Sequence, residues 1–165
     1  MKIEEIITVS GKPGVYQIIS RTGNGLIVES LEDKKRIPVF ATENVSAFND
    51  ISIYTSEDSV PLQDVFKKIH VKENGGPAID FNSSPNELKA YMTEILPDYD
   101  PNSVYVSHIK KLLKWYNLLE KTGALNELLK EEEEIKKDNK KEENAPEKIE
   151  QKESEVAEDE KPENT

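Results

Sequence analysis

The chain has no cysteine, and apolar side chains make up only 35% of its 165 residues. Without cysteine it can form no disulfide, offer no thiolate to a metal ion and use no cysteine nucleophile. It also lacks an amino-terminal signal-peptide pattern and any stretch near the roughly 18 apolar residues that a membrane span needs. We therefore expect a cytoplasmic protein that makes no contact with a membrane.

An excess of basic residues is missing as well, and the acidic charge is unevenly distributed. Residues 131–165 contain 15 acidic residues and 7 lysines, whereas residues 1–130 carry a net charge of −3. A segment so poor in apolar side chains cannot bury enough surface to fold, so residues 131–165 are predicted to be a disordered acidic tail. Neither segment has the strongly basic character that backbone-driven nucleic-acid binding requires.

Residues 1–57 show the pattern of a small β-barrel-like domain, in which short β-branched runs alternate with turns. Turns are indicated at residues 10–14, 22–25 and 32–35. Strands are expected at residues 15–21, from residue 26, at 36–40 and at 51–55, with one helical turn in 42–49. Pro38 lacks an N–H group, which places its strand at an edge or a bulge. So few short strands cannot bury both faces of a flat sheet, so we predict a bent antiparallel sheet or an SH3-like barrel.

Residues 58–130 change to a helical period and are predicted to form a helical domain of three to four helices, which makes the fold class α+β. The first helix carries an apolar stripe from Leu62 to Ile69, and the second begins at a capping box formed by Ser84 and Glu87. A third helix is expected at residues 107–122, with Ser107 as its cap. A fourth begins at Ala124 and loses its apolar face near residue 131.

Two sequence motifs resemble ligand sites and are rejected on spacing. Gly11-Lys12 resembles part of a phosphate-binding loop, but Ile6 and Pro13 stand where that motif needs Gly and Ser or Thr. Residues 98–102 match the first oxygen positions of a calcium loop and then lose the match. An inter-helix turn capped by Asp100 is the preferred interpretation there.

No catalytic, cofactor-binding or metal-binding residue is predicted. The two histidines, His70 and His108, lie on separate helices without carboxylate or histidine partners at ligand spacing. The chain has no nucleophile elbow and no dinucleotide fingerprint. An enzyme whose site assembles from distant residues stays open as a third hypothesis.

Basic clusters provide the candidate interaction surface, since exposed lysines and arginines attract phosphates or acidic partners. The candidate residues are Lys34, Lys35, Arg36, Lys110, Lys111, Lys114 and Trp115. The alternative interpretation is a solvated turn and an ordinary polar helix face. Trp115 likewise fits either the core or an interface with a partner.

Several stretches resemble an uncharacterised Bacteroidetes family of unknown function. They are residues 10–16, 25–31, 34–41, 51–55, 104–107 and 114–119. The resemblance spans residues 2–122 and stops before the tail. It implies expression in the cytoplasm of such bacteria and supplies no catalytic residues.

Taken together, the sequence favours a non-enzymatic binding or adaptor module with an unknown protein partner, whose acidic tail modulates association. The alternative is a protein that binds RNA or a ribonucleoprotein through the two basic clusters. No cofactor is expected in either case.

Overall fold

A computed structural model of the protein describes residues 2–130. The predicted disordered acidic tail, residues 131–165, lies outside the described residues. Within residues 2–130, no helix has the length and apolar character to cross a membrane.

The amino-terminal part is a five-stranded antiparallel sheet. Its strands are β1 (Ile6–Val9), β2 (Lys12–Thr22), β3 (Gly25–Ser30), β4 (Arg36–Phe40) and β5 (Val45–Ala47). The order across the sheet is β4-β3-β2-β1-β5, so β4 and β5 form its two open edges. The fold class is therefore α+β, and an open sheet rather than a closed barrel is formed. The predicted edge position of Pro38 is confirmed, because Pro38 lies in β4.

Pairing with β1 explains where the observed strands differ from those expected. The sequence pattern gave no strand at Ile6–Val9, yet β1 pairs with β2 on one side and with β5 on the other. Pairing between Val9 and Lys12 extends β2 back to Lys12. The expected helical turn in residues 42–49 is wrong for Val45, which is an exposed edge-strand residue, but a short 3-10 helix at Phe48–Asp50 buries Phe48.

A two-stranded hairpin and four helices follow the sheet. The hairpin consists of β6 (Ser52–Tyr54) and β7 (Ser59–Pro61), and the helices are α1 (Leu62–Lys72), α2 (Pro85–Ile95), α3 (Val106–Lys121) and α4 at residues 124–130. The predicted capping box is present at α2, where the Glu87 carboxylate accepts a hydrogen bond from the Ser84 N–H at 2.9 Å. In the same box the Ser84 hydroxyl accepts from the Glu87 N–H.

The third helix starts earlier than predicted. Its first residue is Val106, and its cap is Tyr105 rather than Ser107. The Tyr105 N–H donates a hydrogen bond to Nδ1 of His108 at 3.2 Å, so the histidine ring takes the part that Glu or Gln plays at the third position of a capping box. The preceding turn is as predicted, since the Asp100 carboxylate accepts hydrogen bonds from the Asn102 N–H and the Ser103 hydroxyl.

Two hydrophobic clusters bury the two faces of the sheet. The larger cluster joins Ile6, Val15 and Phe48 of the sheet region to buried residues of all four helices. The smaller one is built by sheet residues alone, among them Ile7 and Val28. No helix of residues 2–130 contributes to the smaller cluster, as expected where a bent sheet covers its own concave face. The proposed division between residues 1–57 and 58–130 falls in the β6–β7 turn and stays a prediction.

Candidate binding groove

An open groove of about 630 Å³ lies between the β1–β2 turn and α3. One wall is residues 8–14 of the first hairpin, with Asn44 and Ser46 of the neighbouring chain segment beside it. Lys111, Lys114 and Trp115 of α3 form the opposite wall. We call this cavity the α3 groove.

Glycines shape the turn that forms the first wall. Gly11 and Gly14 have φ angles of +78° and +106°, which side chains with a Cβ rarely adopt. Neither has an atom within 4 Å of the position that a Cβ would take, so the turn backbone is open on that side. The Ser10 N–H donates to the Asn44 carbonyl at 2.9 Å and ties the turn to the segment before β5. The wall is therefore held in place by backbone bonding.

Lysines give the α3 groove its charge. Lys12 in the turn forms an ion pair of 2.6 Å with Glu43, and its hydrogen bond is the main reason why the pKa of Glu43 is lowered. Lys111 and Lys114 form no ion pair with an acidic side chain of residues 2–130. The groove thus has two lysines whose charge the described part of the chain leaves uncompensated.

Trp115 belongs both to the core and to the groove. Its ring packs against that of Phe48, with centroids 5.4 Å apart and planes inclined by 42°. The side chain is half-buried, and the part that is left uncovered lines the groove. The two interpretations offered by the sequence are therefore compatible at this residue.

The basic cluster at the β3–β4 turn lies elsewhere and is largely paired. Lys35 forms an ion pair of 3.0 Å with Asp33, and Arg36 one of 2.9 Å with Glu29. Hydrogen bonds, first from Ser30 and then from Lys35, lower the pKa of Asp33 to about 2. Neither these residues nor Lys34 line the α3 groove. The structure does not unite the two predicted clusters.

Lys110 lies outside the α3 groove. It is exposed on α3 but does not line the groove. The structure thus replaces Lys110 with Lys12, which the sequence offered only as part of a rejected phosphate loop. No sequence signal joins Lys12 to Lys114, because about a hundred residues separate them and only the packing of α3 against β2 brings them together.

A smaller, mostly apolar pocket of about 240 Å³ lies beside the α3 groove. Ile53, Leu62 and Leu112 contribute its apolar wall. Lys111 and Trp115 line both cavities, so the pocket and the groove are neighbours across these two side chains.

Neither histidine lies in a metal-binding arrangement among the described residues. His108 accepts its hydrogen bond from the Tyr105 N–H, and Nδ1 of His70 is buried without a hydrogen-bond partner. Within residues 2–130, no group of three or more His, Cys, Asp or Glu side chains is placed to hold a metal ion.

Comparison with known proteins gives two adjoining family matches and one solved structure. Residues 3–48 match the model described as Domain of unknown function (DUF5606), and residues 51–119 match Domain of unknown function (DUF6852). A protein from Bacteroides vulgatus, solved by solution NMR, is 42% identical with a TM-score of 0.62. The match covers 74% of this chain and 88% of that one. The chain belongs to the family of this Bacteroides protein.

This finding confirms the resemblance to a Bacteroidetes family of unknown function. No curated protein matches the chain. The β1–β2 turn lies in the first matched segment, residues 3–48, and the part of α3 that lines the groove lies in the second, residues 51–119. The α3 groove is therefore assembled from both segments.

Proposed function

We propose that the protein is a non-enzymatic binding module of the bacterial cytoplasm, which holds an acidic segment of a partner protein in the α3 groove. The observation that carries the proposal is the pair Lys111 and Lys114, which line an open groove without an ion pair in the described part of the chain. Lysines that line an open groove attract carboxylates and steer an acidic partner towards it.

Charge and packing favour a protein partner over RNA. Residues 1–130 carry a net charge of −3, whereas phosphate-backbone binding needs a continuous basic surface. Lys35 and Arg36 are already paired with acidic neighbours. One side of the Trp115 ring packs against Phe48, so that side is closed to a stacking base. RNA or ribonucleoprotein binding is the second candidate function.

The proposed contact has a moderate strength and a modest dependence on salt. Each exposed ion pair contributes about 0–1 kcal/mol, so two lysines alone do not give tight binding. Most of the affinity must come from surface buried against the turn and Trp115. Added salt should weaken the complex, since exposed charges are screened beyond about 8 Å at physiological ionic strength.

Affinity capture from a Bacteroides lysate with the full-length protein tests the proposal. The wild type is compared with the groove variant Lys111→Gln/Lys114→Gln and with the control Lys68→Gln/Lys89→Gln. The control removes the same two positive charges as the groove variant, one from α1 and one from α2. We expect at least one protein to be retained by the wild type and the control and lost from the groove variant. Equal retention by all three forms contradicts the proposal.

A nuclease arm separates the two candidate functions. If treatment of the lysate with ribonuclease removes every protein that depends on Lys111 and Lys114, RNA is the ligand. Anisotropy of a fluorescent single-stranded RNA then has to rise with the wild type and fall with added salt. Retention after nuclease treatment supports a protein partner.

A further inference from the structure

We propose that the groove has an occupant within the same chain: the acidic segment 147–160 docks in the α3 groove and must leave before a partner binds. The inference rests on the groove named in the proposed function but not on the identity of the partner. It adds an autoinhibitory contact and states which chemistry a competing partner must have.

Charge complementarity is the first argument. Residues 147–160 contain seven acidic residues and two lysines, so the segment has a net charge of −5. Lys111 and Lys114 lack acidic partners among residues 2–130, and they line the wall opposite Lys12, whose charge is shared with Glu43. No other stretch of 14 residues in the sequence has a larger net negative charge, and this one matches a groove whose two lysines have no acidic partner among residues 2–130.

The second argument is the apolar pocket beside the groove. In the sequence, Val156 and Ala157 stand between Glu155 and Glu158, whereas Ile149 stands between Lys148 and Glu150. An apolar residue flanked by carboxylates matches a pocket with an apolar wall that shares Lys111 with a basic groove. One such side chain can enter the pocket while its neighbours reach the lysines.

Chain length permits the contact. The described part of α4 reaches Lys130 beside α1, where Leu129 and Lys130 line a cavity with His70 and Val71. From Lys111 to the end of α3 is about 15 Å along the helix axis, and the chain from there to Lys130 adds at most about 20 Å. The 16 residues from 131 to 146 span up to about 55 Å when extended, which exceeds the sum of about 35 Å. Tethering also raises the effective concentration to the order of mM, so a weak contact can be populated.

A paramagnetic label tests the contact in the full-length protein. Because the chain has no cysteine, Ser154→Cys carries a nitroxide at a single position. We expect the amide signals of Gly11 and Gly14 and the Trp115 indole signal to lose most of their intensity. The signals should recover at about 1 M salt, where the screening length falls to about 3 Å.

Variants and mixtures decide what causes the signal loss. Lys111→Gln/Lys114→Gln should restore the signals, and Lys68→Gln/Lys89→Gln should not. Unchanged signals at the groove, or losses that persist in the groove variant, overturn the inference. In a mixture, one protein carries the nitroxide without ¹⁵N and the other is ¹⁵N-enriched without the nitroxide. Signal losses in this mixture overturn the inference as well, because the occupant is then the tail of a second copy.

The outcomes distinguish this inference from the proposed function. If partner capture depends on Lys111 and Lys114 but the label leaves the groove signals unchanged, the proposed binding function is supported and the autoinhibitory contact is contradicted. If the label weakens the groove signals and no captured protein depends on Lys111 and Lys114, the tail is the ligand of the groove and the proposed function is contradicted.

Discussion

Replacing Phe48 with leucine tests how the sheet is joined to the helices. Phe48 lies in the short 3-10 helix after β5 and is 1% exposed. Its ring meets that of Phe66 edge-on, with centroids 6.1 Å apart, and that of Trp115 at 5.4 Å. It therefore connects the first part of the chain to α1 and α3 through two aromatic contacts.

The expected loss follows from these two contacts. Each aromatic pair contributes about 0.5–1.5 kcal/mol beyond the burial of its area, so Phe48→Leu should reduce the free energy of unfolding by about 1–3 kcal/mol. A domain of ordinary stability has about 5–15 kcal/mol, so the variant should still fold. The ring of Trp115 loses its support, and binding in the α3 groove should weaken with it.

Urea unfolding measures the effect with two probes. Trp115 is the only tryptophan of the chain, so its fluorescence reports on the groove and the underlying core, while circular dichroism reports on all helices and strands. Phe40→Leu is the matched control, because Phe40 is 56% exposed on β4, and it should change the free energy of unfolding by less than about 0.5 kcal/mol.

Two results would refute this reasoning. An equal loss in Phe48→Leu and Phe40→Leu would show that the aromatic contacts contribute little. Separate transitions for fluorescence and circular dichroism would show that the sheet and the helices unfold independently, although one hydrophobic cluster spans both.

Three further variants probe single interactions. Asn117→Ala removes the side-chain oxygen that accepts a hydrogen bond from the Ala78 N–H at 2.8 Å, and urea unfolding should show a loss of about 1–3 kcal/mol. Ser84→Ala removes the cap of α2 and should cost about 0.5–2 kcal/mol by thermal unfolding. It also removes the hydroxyl hydrogen bond that contributes most to the lowered pKa of Glu87, so stability should fall less steeply as the solution is acidified. Burial raises the pKa of Tyr116 to about 12, and an unfolded tyrosine titrates near 10, so the unfolded chain loses its proton first and stability should fall between about pH 10 and 12. Tyr116→Phe should make that alkaline fall shallower in urea titrations.

Matched controls accompany these variants. Asn126→Ala and Ser56→Ala change exposed side chains and should stay within about 0.5 kcal/mol of the wild type. Tyr54→Phe removes a hydroxyl from a side chain that is 61% exposed, so the alkaline slope should remain. A slope that responds equally to Tyr54→Phe and Tyr116→Phe would contradict the assignment to the buried tyrosine.

Helices were predicted more accurately than strands because their signals are local. The Ser84 cap and the buried stripe of α3 depend on residues three or four positions apart, and both are present. Strand β1 is only four residues long and is defined by its pairing with β2 and β5. That pairing cannot be read from the residues Ile6–Val9 themselves. The start of α3 differed because Tyr105, which has no capping hydrogen bond from its side chain, is the cap residue, and its N–H is bound by the ring of His108.

The sequence by itself determined the α+β class, the helix boundaries near Ser84 and Gly123, and the separation of the acidic tail by composition. Of the turn predicted at residues 10–14, the turn at Ser10 and Gly11 is present and residues 12–14 belong to β2. Only the tertiary structure decided which basic residues act together. It joined Lys12 to Lys111 and Lys114 in the α3 groove and paired Lys35 and Arg36 with acidic neighbours. The physical reason is the separation of the interacting residues along the sequence. Turns and caps depend on bonds between near neighbours, whereas the groove depends on the packing of a helix against a strand from a distant part of the chain.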